Sequence, residues 1–282
     1  MTERKVISSN DLYNTLKRIR DFKEGFITNY FLNPSVASIW IKHKLLKNIS
    51  INKTDFLLRS DNGFAHLYFC STSEISLISD LSEFMTNNKD RIFTADILGN
   101  ESWTKEIADH FLKVGFFNYT SLIRMTRNQQ KSTRASFVLE GNIEKAQDSD
   151  LMKISNLLNK YFDRYSDQLP HVDELKGWID KGCILLYKRE NNIQGFIIFE
   201  DIGFTSYLRY WFVHPDYREK RIGSKLINSF FYETQNATRH LFWVNSTNEN
   251  AIKRYLHFGF LPGDLVDLIL INKQIKYEKE NN

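Results

Sequence analysis

One recurrence constrains this chain more than any other feature. Residues 110–116 read HFLKVGF and residues 254–260 read RYLHFGF. In both places a helical pattern stops at a glycine and an aromatic residue starts a strand. A glycine after a helix is also an ordinary C-cap. The surrounding order of strand, helix, Gly-Phe and strand is nonetheless the same in the two halves, so it reads as an internal repeat, a domain present twice. The length of 282 residues is comfortable for two domains and long for one.

The pattern along the chain gives an α/β reading. Ser9 to about Lys47 is helical, broken at Pro34, with Asn10 as cap. Asp55–Arg59 and Phe64–Cys70 read as strands around the turn Asp61-Asn62-Gly63. Ser73–Met85 reads as a helix with Ile75, Ile78, Leu81 and Phe84 on one face. Arg91–Leu98 and Phe117–Met125 are strands on either side of a helix, Trp103–Val114. The polar stretch Asn128–Ser136 reads as a linker, which splits the chain into domains 1–130 and 137–275. In the second half Asp148–Phe162, Val172–Lys181, Arg221–Thr234 and Glu249–Phe258 are helices. Ile143–Ala146, Cys183–Lys188, Gly195–Asp201, Thr205–Val213, His240–Val244 and Val266–Asn272 are strands.

Composition narrows the function classes. No apolar run reaches the ~20 residues of a membrane span, and the polar start MTERKVISSN lacks the apolar core of a signal peptide. Two distant cysteines, Cys70 and Cys183, with no CxxC or Cys/His cluster indicate neither a disulfide framework nor a metal site. A cytoplasmic protein is expected. The net charge of +4 hints at an anionic partner. Nucleic acid is not expected, because no reading module is present.

The stretch that carries chemistry is Trp211–Ser224, WFVHPDYREKRIGS. A strand ends at His214-Pro215, since proline cannot donate to a ladder. A basic, glycine-containing turn then opens an amphipathic helix. The first amides of a helix lack internal partners, and the helix dipole adds positive charge, so such a turn suits an anion, most often phosphate. Arg218, Lys220, Arg221 and Lys225 add charge. Neither GxxxxGK[ST] nor GxGxxG is present.

Strand–HPxYRxxRIGSxL resembles the phosphate-binding motif of the GNAT N-acetyltransferase superfamily, Arg/Gln-x-x-Gly-x-Gly/Ala. Here it falls on Arg218, Arg221 and Gly223, with Arg221 where the family has its first glycine. Downstream, Asn248-x-x-Ala251-x-x-x-Tyr255-x-x-x-Gly259-Phe260 resembles the family's second motif. The resemblance covers roughly Asn142 to Asn272. It implies a mixed central sheet flanked by helices and a splay between the fourth and fifth strands, where the pantetheine arm of coenzyme A inserts. Trp211 and Val213 would line that arm. The backbone of Arg221, Ile222, Gly223 and Ser224, with Arg218 and Lys225, would hold the pyrophosphate. Asn248 would cap its helix near the arm. Tyr255 would stand by the thioester sulfur, where a hydroxyl of pKa ~10 suits a general acid.

The expected activity is transfer of an acyl group, most simply acetyl, from acetyl-CoA or another acyl-CoA to the primary amine of a small molecule by direct attack, with no metal. Glu200, at the end of the third strand, is the candidate base. Asp163, Tyr165 and Arg209 are candidate acceptor contacts; the acids suit a cation, and Arg209 suits a carboxylate. The first half is expected to be a degenerate copy without a coenzyme A site. Its strand-to-helix turn, Ser71-Thr72-Ser73-Glu74, has no glycine or arginine, and Phe111 stands where the second half has Tyr255. The alternative is a non-catalytic module that senses acyl-CoA or binds a protein. A monomer or homodimer is expected. Residues 1–135 hold 19 basic and 14 acidic side chains, hence +5, and residues 136–282 hold 19 and 20, hence −1. Positive charge in the second half is thus local to one helix start.

Overall fold

A computed structural model describes residues 1–31, 33–128 and 142–275. The chain divides into two compact units. The first comprises Met1–Leu122 and the described residues from Asp264 onward; the second runs from Ile123 to Gly263.

The first unit contains β1 (Thr2–Lys5), α1 (Ser9–Asp21), β2 (Ile27–Thr28), α2 (Pro34–Lys42), β3 (Leu46–Ile51), β4 (Thr54–Asp61), β5 (Phe64–Ser71), α3 (Glu74–Thr86), β6 (Phe93–Asn100), α4 (Glu101–Lys113) and the start of β7 (Phe117–Asn128). The second contains the rest of β7, β8 (Ile143–Lys145), α5 (Leu151–Tyr161), α6 (Val172–Asp180), β9 (Ile184–Arg189), β10 (Asn192–Ile202), β11 (Thr205–Val213), α7 (Ile222–Glu233), β12 (Arg239–Asn245), α8 (Glu249–His257) and the start of β13 (Leu261–Ile271). Strand pairing is mixed in both units. The strand order is β1-β3-β4-β5-β6-β13 in the first, with β2 beside β5, and β7-β12-β11-β10-β9-β8 in the second. Parallel pairs join β5 to β6 and β11 to β12.

The last strand departs from the expected split at 1–130 and 137–275. From Asp264 it belongs to the first unit, where Leu265–Ile271 pairs antiparallel with Asn100–Thr94 of β6. Asn128 closes β7, and the remainder of the expected linker lies outside the described residues.

Local chemistry sets the helix ends. Asn100 accepts from the Trp103 amide at 2.9 Å and Asn248 from the Ala251 amide at 3.1 Å, so each starts a helix. Gly115 and Gly259 follow α4 and α8 with φ of +97° and +81°, the left-handed conformation that glycine adopts without a Cβ clash. The recurrence in sequence is therefore a recurrence of helix endings.

Three readings of the first half are corrected. Ser8, not Asn10, caps α1, with Ser8 and Asp11 bonding reciprocally. The Lys-rich stretch after Pro34 ends its helix at Lys42, and Leu46–Ile51 is a strand. In α3 the buried face is Leu77, Leu81 and Phe84, while Ile75 is 81% exposed.

Phenylalanines fill two of the cores. Phe56, Phe69, Phe84, Phe93, Phe111 and Phe116 form the first, and Phe196, Phe212, Phe230 and Phe260 belong to the second. Gly195 lets α7 approach β10. A Cβ there would lie 2.8 Å from the Phe212 carbonyl oxygen and 3.0 Å from Leu226 Cδ1.

Candidate active site

The site in the second unit begins with a break in pairing. β11 and β12 pair only at Thr205–Arg239, Ser206–His240 and Tyr207–Leu241. Beyond Tyr207 the two strands part, at the place where the resemblance puts a splay between the fourth and fifth strands. The edge of β11 from Leu208 onward is left without that ladder.

A bulge sits at the mouth of the splay. Ile198 of β10 opposes Tyr210, and Phe199 opposes Leu208, so Arg209 is the extra residue. Tyr210 and Phe212 then pack on Phe162, beyond the end of α5. Trp211 and Val213 turn toward α7, where a Cβ on Gly223 would lie 3.6 Å from both. The structure thus brings Trp211, Val213 and Gly223 together.

The turn Pro215–Lys220 leads into Arg221, which has φ +55° and ψ +21°. The position held by glycine in the family motif therefore keeps the conformation that favours glycine, and arginine occupies it at a cost of about 1 kcal/mol. No side chain caps α7. Its first amides, at Ile222, Gly223 and Ser224, make no hydrogen bond among the described residues. Ile222 offers only its amide, because its side chain is buried in the core. Arg218, Lys220 and Arg221 are exposed, and Lys225 is half-buried near the Tyr187 ring. The arrangement is an anion cradle of free amides with cationic side chains around it.

Tyr255 lies beside Trp211, with ring centroids 5.4 Å apart, and packs on Phe242 at 4.5 Å. Burial pushes its hydroxyl up to about 12, against a smaller opposite effect of Arg254. The group is protonated at neutral pH, and its hydroxyl has no hydrogen-bond partner among the described residues. A protonated, unengaged donor beside the parted strands is what a leaving thiolate needs.

The other face carries the remaining candidates. Arg209 Nη2 donates to Glu200 Oε2 at 2.6 Å; the Glu200 side chain is 7% exposed and that of Arg209 38%. The candidate base and the candidate clamp are thus joined in one ion pair. Asp163 serves its own loop: Oδ1 accepts from the amides of Tyr165 and Ser166 and from the Ser166 hydroxyl. Asp167 Oδ2 accepts from the Asp163 amide at 2.7 Å. Burial, with the nearby Asp163 charge, raises Asp167 to about 7. Tyr210 reaches across and donates to the Asp167 and Gln168 carbonyls. The Arg164 guanidinium lies over the Tyr165 ring. A contact invisible to sequence reasoning links the Tyr161 hydroxyl to His214 Nε2 at 3.0 Å, tying α5 to the end of β11.

The corresponding place in the first unit is closed. β5 and β6 pair only at Ala65–Phe93 and His66–Thr94 and then part. Here the chain fills its own gap. Ile27 and Thr28 pair with Ser71 and Cys70 of β5. The Asn29 carboxamide donates to the Leu67 and Asp96 carbonyls and accepts from the Phe69 amide, at 3.2, 3.0 and 2.7 Å, bridging the parted strands. At the helix start, Ser73 Oγ accepts from the Ser76 amide, so α3 is capped. Phe111 is fully buried, in ring contact with Phe69 and Phe116. No sequence signal marked Asn29.

Residues 151–260 match the model of the acetyltransferase (GNAT) family, so the second unit carries a domain of that family. No curated protein matches the sequence. Among solved structures, a tandem GNAT protein from the clavulanic acid biosynthesis pathway superposes with a TM-score of 0.62 at 9% identity, over 96% of this chain and 97% of that one. A GCN5-related N-acetyltransferase from Sphaerobacter thermophilus gives 0.59 at 10% identity, over 98% and 97%. A GNAT-family acetyltransferase from Colwellia psychrerythraea gives 0.56 at 12%, over 96% and 99%. At such identities the likeness concerns the fold, and it spans both units.

Proposed function

We propose that the protein is an acyl-CoA-dependent N-acyltransferase that moves acetyl from acetyl-CoA to the primary amine of a small molecule. One observation carries this reading: the parted strands β11 and β12 open onto an uncapped helix start on one side and the Tyr255 hydroxyl on the other. The free amides of Ile222, Gly223 and Ser224 suit the pyrophosphate, with Arg218, Arg221 and Lys225 adding charge. Trp211, Val213 and Asn248 flank the arm. No membrane-crossing helix occurs among the described residues. Cytoplasmic residence is part of the proposal, supported by two unpaired and buried cysteines. So are a monomer or homodimer and the absence of a coenzyme A site in the first unit.

In this mechanism the neutral amine attacks the thioester carbonyl. A C–N bond forms, the C–S bond breaks, and Tyr255 protonates the departing thiolate. Glu200 is the candidate acceptor of the amine's proton, relayed to solvent. Holding amine and thioester together supplies much of the rate by proximity.

Thermal stabilisation by acetyl-CoA tests the binding step. A ligand at ~100 times its dissociation constant adds about 2.7 kcal/mol. No shift with any acyl-CoA would remove the proposal. A second reading, a non-catalytic acyl-CoA sensor, draws on the Glu200–Arg209 pair, which leaves Glu200 engaged. Binding without thiol release across a broad amine panel would favour it.

A further inference from the structure

We propose that the acceptor is a free amino acid, whose carboxylate is held by Arg209; this rests on the acyltransferase reading above. Four observations support it. Arg209 is the bulge residue, two positions beyond the last paired residue of β11, so its side chain leaves the strand at the mouth of the splay. Its guanidinium lies on the face opposite the one Trp211 and Val213 present to α7, the face an acceptor would approach while the cofactor arm runs past those two residues.

The second observation is how the guanidinium is held. Glu200, itself buried, fixes one Nη of Arg209 at 2.6 Å. The Tyr207 ring lies 5.4 Å from the guanidinium carbon. Nε and Nη1 have no hydrogen-bond partner among the described residues, and the side chain is 38% exposed. A planar fork with one corner anchored and the other nitrogens unused is pre-organised for a carboxylate. The buried partner removes much of the flexibility that makes exposed arginines weak ligands.

Third, the loop acids offer little to a polycation. Asp163 is consumed by three bonds within its own loop. Asp167 binds the Asp163 amide and is half-protonated near neutral pH. Fourth, the reaction needs an amine close to the splay, and Arg209 stands at its mouth. A carboxylate and an amine a few bonds apart can therefore be engaged together.

The chemistry balances without any further reactant. The acceptor ammonium loses one proton to Glu200 and then to solvent. Its nitrogen bonds to the acetyl carbon, the C–S bond breaks, Tyr255 protonates the sulfur, and the nitrogen's second proton, passed through solvent, restores the Tyr255 hydroxyl. Amino acid and acetyl-CoA thus give N-acetyl amino acid, coenzyme A and one proton.

The test measures thiol release from acetyl-CoA with matched acceptors: alanine against ethylamine, phenylalanine against phenethylamine, and glycine, β-alanine and 4-aminobutyrate as a spacing series. Amino-acid binding to the protein saturated with coenzyme A is measured in parallel by calorimetry. We expect kcat/KM to favour each amino acid over its decarboxylated partner by ~10- to 100-fold, the range of charge-assisted bonds. Arg209→Ala should erase that preference through KM and leave acetyl-CoA stabilisation intact. Arg209→Lys should restore part of the preference, as a point charge without the fork.

Equal use of amines with and without a carboxylate would overturn the inference and leave the acyltransferase reading standing. So would an Arg209→Ala loss equal for both classes. Arg209-dependent binding of amino acids with no thiol release would do the reverse, sustaining the site and removing the catalytic reading. Neither binding nor release would remove both.

Discussion

Two parallel strand pairs part in the same way, and only one of them is left open. In the first unit β5 and β6 separate after two paired residues, and Asn29 bridges the gap with three hydrogen bonds. In the second, β11 and β12 separate after three, and no equivalent segment enters among the described residues. A parted pair strands backbone groups that must find partners, because an unsatisfied buried amide or carbonyl costs about 1–3 kcal/mol. The first unit solves this internally and becomes a closed body. The second leaves its parted strands without such a bridge among the described residues. Their helix starts differ likewise: Ser73 caps α3, while α7 begins uncapped at a strained arginine. Phe111 seals one core where Tyr255 keeps a hydroxyl in the other.

The largest expected effect breaks the chemistry and spares the binding. Tyr255→Phe should lower kcat ~100-fold or more, the usual share of a general acid, with acetyl-CoA affinity changed less than threefold. Loss of affinity instead would make Tyr255 a packing residue. The converse change, Phe111→Tyr, should create no activity and should destabilise by about 1–3 kcal/mol through a buried, unpaired hydroxyl.

Next come two stability tests. Asn29→Ala should cost about 3 kcal/mol in denaturant unfolding, as the carbonyls of Leu67 and Asp96 and the amide of Phe69 lose their partner, and should leave the cofactor stoichiometry at one. A change below about 0.5 kcal/mol, the size of an ordinary surface substitution, would mean that the plug carries no load. Gly195→Ala should cost about 1–3 kcal/mol by pushing α7 off β10, and should weaken acetyl-CoA binding with it.

A smaller effect concerns pH. Asp167 titrates near 7 when folded and near its ordinary 3.8 when unfolded. Between these values the folded state holds a proton that the unfolded state has lost, so this group's contribution falls as pH rises from about 4 to 7. Asp167→Asn should flatten that part of the stability curve and raise stability at pH 8 by about 1–2 kcal/mol, allowing for the partial exposure of the carboxyl. An unchanged slope would place the carboxyl's titration elsewhere. The smallest effect is expected of Arg221→Gly, a gain of about 0.5–1 kcal/mol from relief of the left-handed backbone, read as a rise in Tm.

What the sequence revealed was local. The cap at Asn248, the glycine after Tyr255 and the basic turn before α7 each depend on a few neighbouring residues, and each is found where the motifs put it. Contacts distant along the chain were hidden. The departure of β13 to pair with β6 joins residues more than 160 positions apart, and nothing in its own apolar run names that partner. The bulge at Arg209 leaves no trace, because Tyr207, Leu208 and Tyr210 read equally well in an unbroken strand. β3 was hidden by the Lys-rich helix before it, whose periodicity runs on into Leu45 and Leu46. Asn29 was hidden because a lone asparagine before a proline-started helix reads as loop; its role exists only once two strands part around it.

Hydrogen exchange with and without acetyl-CoA tests the central claim most directly. The account predicts slowed exchange at residues 208–213, 222–224 and 242–246, which border the parted strands and the uncapped helix start. It predicts no change at residues 65–71 and 94–98, which the chain already satisfies. Protection in the first unit's gap, or none in either, would contradict it.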